Sequence, residues 1–534
     1  MRLLSQLVMY RRFLMGLRGF LHASVSLQEA RAAVRRRLAH REEKLLRIAE
    51  LGFFGYARSP YRLLLELAGC EFGDFRALVL DSGVDAALRV LRESGVYFTF
   101  EEAKGRDPVV RGGQEIPLDP TDFDNPYLTH YYSRSSGGTT GVGTRVSTDL
   151  DHLALEARHR MLLLDAHGVL DVPYAIWRPP SPGSGLNAVL RAAHIDRPPA
   201  RWFTPVIPGD LRPPLKFRLA NDVTVALAGL FGRAIPRPVP VGLHEADRIA
   251  RWISDTLADH DRVLLNTTVS CGLRVGLAAS DAGLDLTGAT FMIAGEPPTP
   301  AKVNGIRASG ATHFTDYGMA EAGRLGIGCA KPVGANDVHV LTDAYAVIPF
   351  PRQVPVSGET VNSFHMTSLH PSTPKLLLNV EFDDFGIVEE KVCGCPLGEL
   401  GLTQHLREIR SFRKLTGEGV TLLGSDMVRI LEEVLPRRFG GTPLDYQLVE
   451  EEDADGFTRL ALRVSPGVTL PDEGTVVDTF LSAIASVSLG ANMASSIWAR
   501  AGTLTVRREN PHVTSRGKQL PLHVVSSEHR QPSP

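Results

Sequence analysis

The sequence predicts an α/β protein with a small α+β domain behind it, and three observations carry that prediction. A chain of 534 residues is too long for one ordinary core and suggests about three units. Short apolar, partly β-branched runs such as RVLLNTTV and ATFMIAGE alternate with helical stretches such as EADRIARWISDTLADH, the pattern of an α/β sheet. After EFDDFGIVEEKVCGCPLGELGL the character changes. There DYQLVEEEDADGFTRLALRVSPG reads as a hairpin turning at Asp455-Gly456, DEGTVVDTFLSAIASV as a helix and GTLTVRREN as a strand.

Taken in order, residues 27 to 97 carry helical spacing, as in QEARAAVRRRLAHREEKLLRIAEL, and a polar passage, EIPLDPTDFDNPY, leads out of them. We therefore expect a helical part over 1–120, the α/β core over 121–406 and the small domain over 407–534. Hydrophobic content of 43% and a net charge of -2 fit a globular protein and give no electrostatic case for nucleic acid. No window reaches the roughly 20 apolar residues of a membrane helix. The opening MRLLSQLVMYRRFLMGLRGFL is cut by Arg11, Arg12 and Arg18 and reads as a basic amphipathic helix packed on its own domain. Five cysteines in so long a chain point to a reducing compartment, and we expect a cytoplasmic protein.

The densest chemical signal is YYSRSSGGTTGVGTRV at 131–146, which gathers glycines and hydroxyls as a phosphate cradle does. Gly138 and Gly143 have Walker A spacing, but Thr144 stands where the lysine must be. A dinucleotide G-x-G-x-x-G is absent. Within the stretch, SSGGTTG resembles the phosphate loop of the adenylate-forming superfamily of acyl-CoA synthetases, with one extra glycine. The resemblance implies nucleotide contacts from Ser135, Ser136, Gly137, Gly138, Thr139, Thr140 and Gly141.

Further segments resemble the same superfamily in the same order. FMIAGEPPTP offers Gly295, Glu296 and Pro297 beside the adenine. HFTDYGMAEAG offers Asp316, Tyr317, Gly318 and Met319 for the nucleotide and Glu321 for magnesium, with Ala320 replacing the usual threonine. LLLNVEFDDFGIVEE places Asp384, with Asp383 as competitor, at the ribose, although the family's arginines are absent. REIRSFRKLTGEG supplies Arg413, with Arg410 second, near the hinge. NPHVTSRGKQLP has the pattern T-x-x-G-K through Thr514, Gly517 and Lys518, and the resemblance makes Lys518 the catalytic lysine of a mobile C-terminal lid. Motifs that agree in order over residues 125 to 525 outweigh their separate weakness. The chain is most similar to the phenylacetate-CoA ligase-like branch.

Cys329, His339, Cys393 and Cys395 fall among these motifs and make a Cys3His set, the composition of structural zinc. Buried idle thiols with a core histidine are the plainer alternative.

The resemblance implies a large adenylate-forming domain with mixed sheets and a small mobile one. It implies ATP, Mg²⁺ and a small-molecule carboxylate as partners, and CoA as thiol acceptor. A carrier protein or a partner cysteine stays open as acceptor, and a non-catalytic nucleotide-binding relic stays open as a class. A Ser or Cys hydrolase is disfavoured because no G-x-S-x-G elbow occurs. The acyl pocket is expected between about 170 and 275, where Trp177, Trp202, Phe203 and NTTVSCGLR are either lining or core.

Overall fold

The computed structural model describes residues 2–135, 145–181, 183–206, 215–353, 360–411, 416–417, 420–421, 424–452, 458–486, 495, 498–499, 504–514 and 516–524. Its centre is a sheet of twelve strands. Six lie parallel in the order Pro238–Gly242, Arg201–Val206, Tyr174–Trp177, Val263–Thr267, Ala289–Ala294 and Thr312–Met319. Every residue of Tyr174–Trp177 and Val263–Thr267 is buried, as strands covered on both faces require. Helices Gly185–His194, Ala246–Asp259, Val269–Asp281 and Pro300–Arg307 make the crossovers. Ranked by chain position the strand order is 3-2-1-4-5-6. The winding therefore reverses between Tyr174–Trp177 and Val263–Thr267, where ligands of such sheets bind at the strands' carboxyl ends.

Beyond Thr312–Met319 the sheet turns antiparallel. Gly323–Gly328 returns from it as a hairpin, followed across the sheet by Val338–Val340, Gln404–Ser411, Val380–Glu390, Thr360–Ser368 and Tyr345–Gln353. Gln404–Ser411 thus belongs to the large sheet, so the domain boundary drawn between 406 and 407 cuts a strand and has to move past Ser411. The sequence misled there because the hinge-proximal arginines lie at the very end of that strand.

The small domain has four strands in the order Leu504–Arg507, Thr458–Val464, Tyr446–Glu452 and Leu522–Val524. The hairpin and the helix Glu473–Ala485 fall where the sequence put them, while Asp455 and Gly456 lie outside the described residues. Phe480 and Ile484 of that helix pack on Leu448, Leu462 and Leu435 in a core of their own.

The N-terminal helices are part of the large domain's core. Helix Arg2–His22 buries Phe13, Leu17, Phe20 and Leu21 and exposes Arg11, Arg12 and Arg18. Phe13 meets the edge of Tyr132 at 5.0 Å, and Phe20 stacks on His194 at 4.5 Å. The arginines therefore solvate one face of a docked helix. No helix among the described residues is long and apolar enough to cross a membrane. Helix Leu27–Ala39 starts at a Ser26/Glu29 capping box and sends Arg37 onto the buried carboxylate of Asp343 at 2.7 Å, where His159 Nε2 also approaches to 2.9 Å.

Burial works against ionisation of Asp343, but His159 and the Arg37 guanidinium hold its pKa well below the ordinary carboxylate value. Replacing Arg37 by Met strands a buried carboxylate, and we expect a loss of about 3–5 kcal/mol in the urea transition of the large domain at pH 7. Because the folded pKa is depressed, the pair's contribution is complete above the unfolded value of about 4 and is lost only as pH falls below it. The difference between wild type and Arg37→Met should shrink towards acid pH; a difference independent of pH would refute the assignment.

Candidate active site

The carboxyl end of Ala289–Ala294 runs into Gly295, whose φ of +88° only glycine adopts without strain. A Cβ there would stand 3.0 Å from Cε and Nζ of Lys518, so the missing side chain is what lets the lysine lie on the strand end. Lys518 comes from the small domain on a tight turn. Gly517 N–H donates to Thr514 O and Thr514 N–H to Lys518 O, both at 2.8 Å, and Lys518 N–H donates to Thr514 Oγ1 at 3.2 Å. Gly517, at φ +73°, brings its backbone against Cys271, and a Cβ would be 2.7 Å from that sulfur. The T-x-x-G-K pattern is thereby accounted for residue by residue.

The neighbouring residue seats this turn. Gln519 is 3% exposed. Its amide N–H donates to Glu296 Oε2 at 3.4 Å, its carbonyl accepts from Lys302 Nζ at 3.4 Å, its Oε1 accepts from Arg274 Nη2 at 3.0 Å, and its Nε2 donates to Leu444 O at 2.8 Å. Ser270 Oγ donates to the same Glu296 carboxylate. Thr268 Oγ1 and Cys271 Sγ donate to Gly517 O at 3.4 and 3.3 Å. Glu296, expected beside adenine, therefore spends its carboxylate on the lysine turn. Pro297 is half-buried at the turn into helix Pro300–Arg307, where Lys302 pairs with Glu432 of the small domain at 3.0 Å, both side chains buried. Burial opposes the charge on Lys302, but Glu432 and Glu296 raise its pKa.

Near the end of the next strand, between Tyr317 and Gly318, the register slips. Tyr317 OH donates to Asp384 Oδ2 at 2.8 Å, so two residues 67 apart in sequence meet. Burial and then the Asp384 carboxylate push the Tyr317 phenol well above its usual pKa, which keeps it a donor. Asp383 instead accepts from Ser411 Oγ at 2.7 Å. Asp316 lies in the opposite sense along the strand and pairs with Arg324 at 3.0 Å. Gly318 faces Gly323 O, which a Cβ would approach to 2.5 Å, and Met319 leads into the hairpin. Glu321, in that hairpin, is bound by Lys104 at 2.5 Å. Burial would raise Glu321, but the Lys104 ammonium holds it below the ordinary carboxylate value. Lys104, Lys302 and Gln519 are residues the sequence reading missed, and Ser270 and Arg274, read within NTTVSCGLR as acyl-pocket lining or core, instead bond Glu296 and Gln519. The detectable signal for Ser270 and Arg274 was their place just after a buried parallel strand.

Ser135 ends a strand paired with Arg145, while Ser136, Gly137, Gly138, Thr139, Thr140, Gly141 and Arg413 lie outside the described residues. Trp177 and Trp202 are 0% exposed and belong to the core, as the plainer reading of that region held.

The cysteines converge under the antiparallel half. Cys329 Sγ and Cys395 Sγ are 4.0 Å apart, and His339 Nε2 is 3.1 Å from Cys395 Sγ and 3.7 Å from Cys393 Sγ. His339 Nδ1 donates to Leu402 O at 2.6 Å, which leaves Nε2 as a lone pair facing the sulfurs. His405, not foreseen, brings a fifth donor atom. Its Nδ1 is held by Asp337 at 2.6 Å, its Nε2 has no partner among the described residues, and it groups with Cys329, His339 and Cys393. Cys329, His339, Cys393 and His405 offer donor atoms all within 4.8 Å of one another, and thiolate and imidazole donors of this kind fit zinc.

No protein-family model and no curated sequence matches the chain. Solved structures do. The 2-hydroxyisobutyryl-CoA ligase in the postadenylation state in complex with R3-HIB-AMP is similar with a TM-score of 0.52 and 15% identity, over 92% of this chain and 90% of that one. The same ligase with 2-HIB-AMP and CoA in the thioesterification state gives 0.44 at 14% identity, over 93% and 88%. ATP-bound MatB from Rhodopseudomonas palustris gives 0.39 at 11%, over 90% and 91%. The first of these likenesses shows that the chain shares the fold of that ligase.

If Glu296 seats the lysine turn, Glu296→Ala should make trypsin cleave at Lys518 several-fold faster while the large domain's urea midpoint stays close to wild type. An unchanged cleavage rate would remove that role from Glu296.

Proposed function

We propose that this protein is an ATP-dependent carboxylate-activating ligase of the phenylacetate-CoA ligase-like branch, forming an acyl-adenylate and then a thioester with CoA. The observation that supports this most is the ammonium of Lys518 resting on Gly295, at the end of the strand next to the one that carries Tyr317. On this reading the adenosine lies over the ends of Ala289–Ala294 and Thr312–Met319, with Tyr317 against the base and Asp384 accepting from the ribose hydroxyls. The loop Ser135–Gly141 cradles the phosphates and Arg413 contacts the nucleotide from the hinge.

In the first step a carboxylate oxygen attacks the α-phosphorus, the bond to the bridging oxygen breaks and pyrophosphate leaves. Lys518 offsets the charge that builds on the α-phosphate oxygens. Magnesium, when bound, neutralises the polyphosphate; Glu321, ionised and hard, is the residue that would hold it. In the second step a thiol sulfur adds to the acyl carbon, the acyl–oxygen bond breaks, AMP leaves and the thiol proton passes to solvent. Between the steps the small domain turns away and takes Lys518 with it. Cys329, His339, Cys393 and Cys395 would hold a structural zinc, with His405 as the alternative fourth donor.

A non-catalytic nucleotide-binding relic is the second reading, and Lys104 at Glu321 favours it, because the ammonium occupies the oxygen that magnesium would take.

Carboxylate-dependent exchange of labelled pyrophosphate into ATP decides between them. We expect Mg²⁺-dependent exchange in the wild type and a fall on the order of 100-fold or more in Lys518→Ala with ATP binding retained. ATP binding without exchange for any acid would leave the relic. Elemental analysis of the purified protein should give one zinc per chain, reduced in Cys395→Ser; a metal-free, equally stable protein would return the cysteines to idle core thiols.

A further inference from the structure

The winding reversal of the parallel sheet carries a charge that the proposed chemistry does not use. Arg178 follows Tyr174–Trp177 at its carboxyl end and reaches across the switch point, donating from Nε to Asn266 Oδ1 at 2.8 Å and from Nη2 to Thr267 O at 2.5 Å. Three of its five N–H groups remain after those bonds. No carboxylate is paired with it among the described residues. Burial pushes its pKa down to about 10, and the residue is only partly buried.

Its surroundings are cationic as well. Arg160 is 0% exposed, lies over the Tyr174 ring at 5.5 Å, and leaves Nε and Nη2 without partners among the described residues. Arg191 pairs with Glu156 at 2.7 Å and Arg324 with Asp316 at 3.0 Å. Four arginines thus face two carboxylates in one buried group, and Lys518 adds a further positive charge one turn away, since Thr268 beside Thr267 holds Gly517. A staple between two strands needs no charge, and a buried unpaired guanidinium is costly unless an anion meets it. Lys518 marks where the reacting carboxylate sits, at the end of Ala289–Ala294. The Arg178 guanidinium, held at the end of Val263–Thr267, is one strand spacing across the sheet from there, about 5 Å.

We infer that the acid activated here carries a second anionic group at the end remote from the reacting carboxylate, a short dicarboxylate being the simplest case, and that Arg178 binds it. This rests on the ligase reading for the identity of the reacting end only. Arg178 is then a specificity residue, and the arginines behind it raise the potential at the cleft floor without touching the ligand.

Matched acids test it: succinate, glutarate and adipate against butyrate, pentanoate and hexanoate, in pyrophosphate exchange and, separately, in calorimetric binding to the ATP-free protein. We expect the best diacid to exceed its monoacid by on the order of 100-fold in kcat/KM. In Arg178→Met that ratio should fall to near one through the KM of the diacid, with the monoacid changed only a few-fold, and Arg178→Lys should restore part of it. Monoacids used as well as diacids by the wild type, or equal losses for both acids in Arg178→Met, would overturn the inference and leave Arg178 a strand staple. Arg178-dependent diacid binding without any exchange would uphold the inference while the ligase reading falls. Absence of both exchange and diacid binding would overturn both.

Discussion

Gln519 has every polar atom bonded, three of the four across the junction of the two domains, and the geometry of the site depends on that. Its main-chain amide and carbonyl meet Glu296 and Lys302, while its side chain bridges Arg274 and Leu444 O. Each such bond contributes about 1 kcal/mol, more when the partner is charged, but a buried amide left without partners costs more than the bond returns. The turn is therefore seated with all its bonds or not at all. Lys518, the residue before it, inherits that all-or-none placement and falls on a strand end that runs into a glycine of positive φ.

What that placement can act on follows from the sheet. A 3-2-1-4-5-6 order leaves a crevice where the winding reverses, and the carboxyl ends of the strands divide the floor. Tyr317 and Asp384 mark one side, over the last parallel strands; Arg178 and the arginines behind it mark the other, over the first. Lys518 lies between. The proposed two-substrate reaction would use this division, because binding energy on either side fixes the distance between the atoms that must meet.

The sequence made the crossover strands and the small domain legible, since fully buried parallel strands read as continuous apolar runs and the hairpin alternates. Lys518, Tyr317 and Asp384 stand in short motifs, and the structure brings Tyr317 onto Asp384 and Lys518 onto Gly295. Gln519, Lys302 and Glu432 could not be found in the sequence, because each matters through a partner more than 100 residues away and none sits in a distinctive local pattern. Lys104 is the same case: nothing in FEEAK announces a partner 217 positions on. His405 was missed because strand pairing, which places it opposite His339, is a register property that spacing along the chain does not encode.

The seating has to be reversible if the small domain is to move, and the Lys302–Glu432 pair is suited to that. Breaking such a pair by removing one partner leaves a bare buried charge and costs about 3–5 kcal/mol, but separating the two halves into water restores the hydration of both. Their attraction in the closed position is largely balanced by the hydration given up to form it. The pair therefore specifies where the small domain docks, through charge and shape, while contributing little to how tightly it stays there. A junction built on apolar burial of the same area would bind the lid more strongly and slow its release; polar, fully satisfied contacts around Gln519 and Lys302 give a defined closed position whose free energy lies near that of the open one.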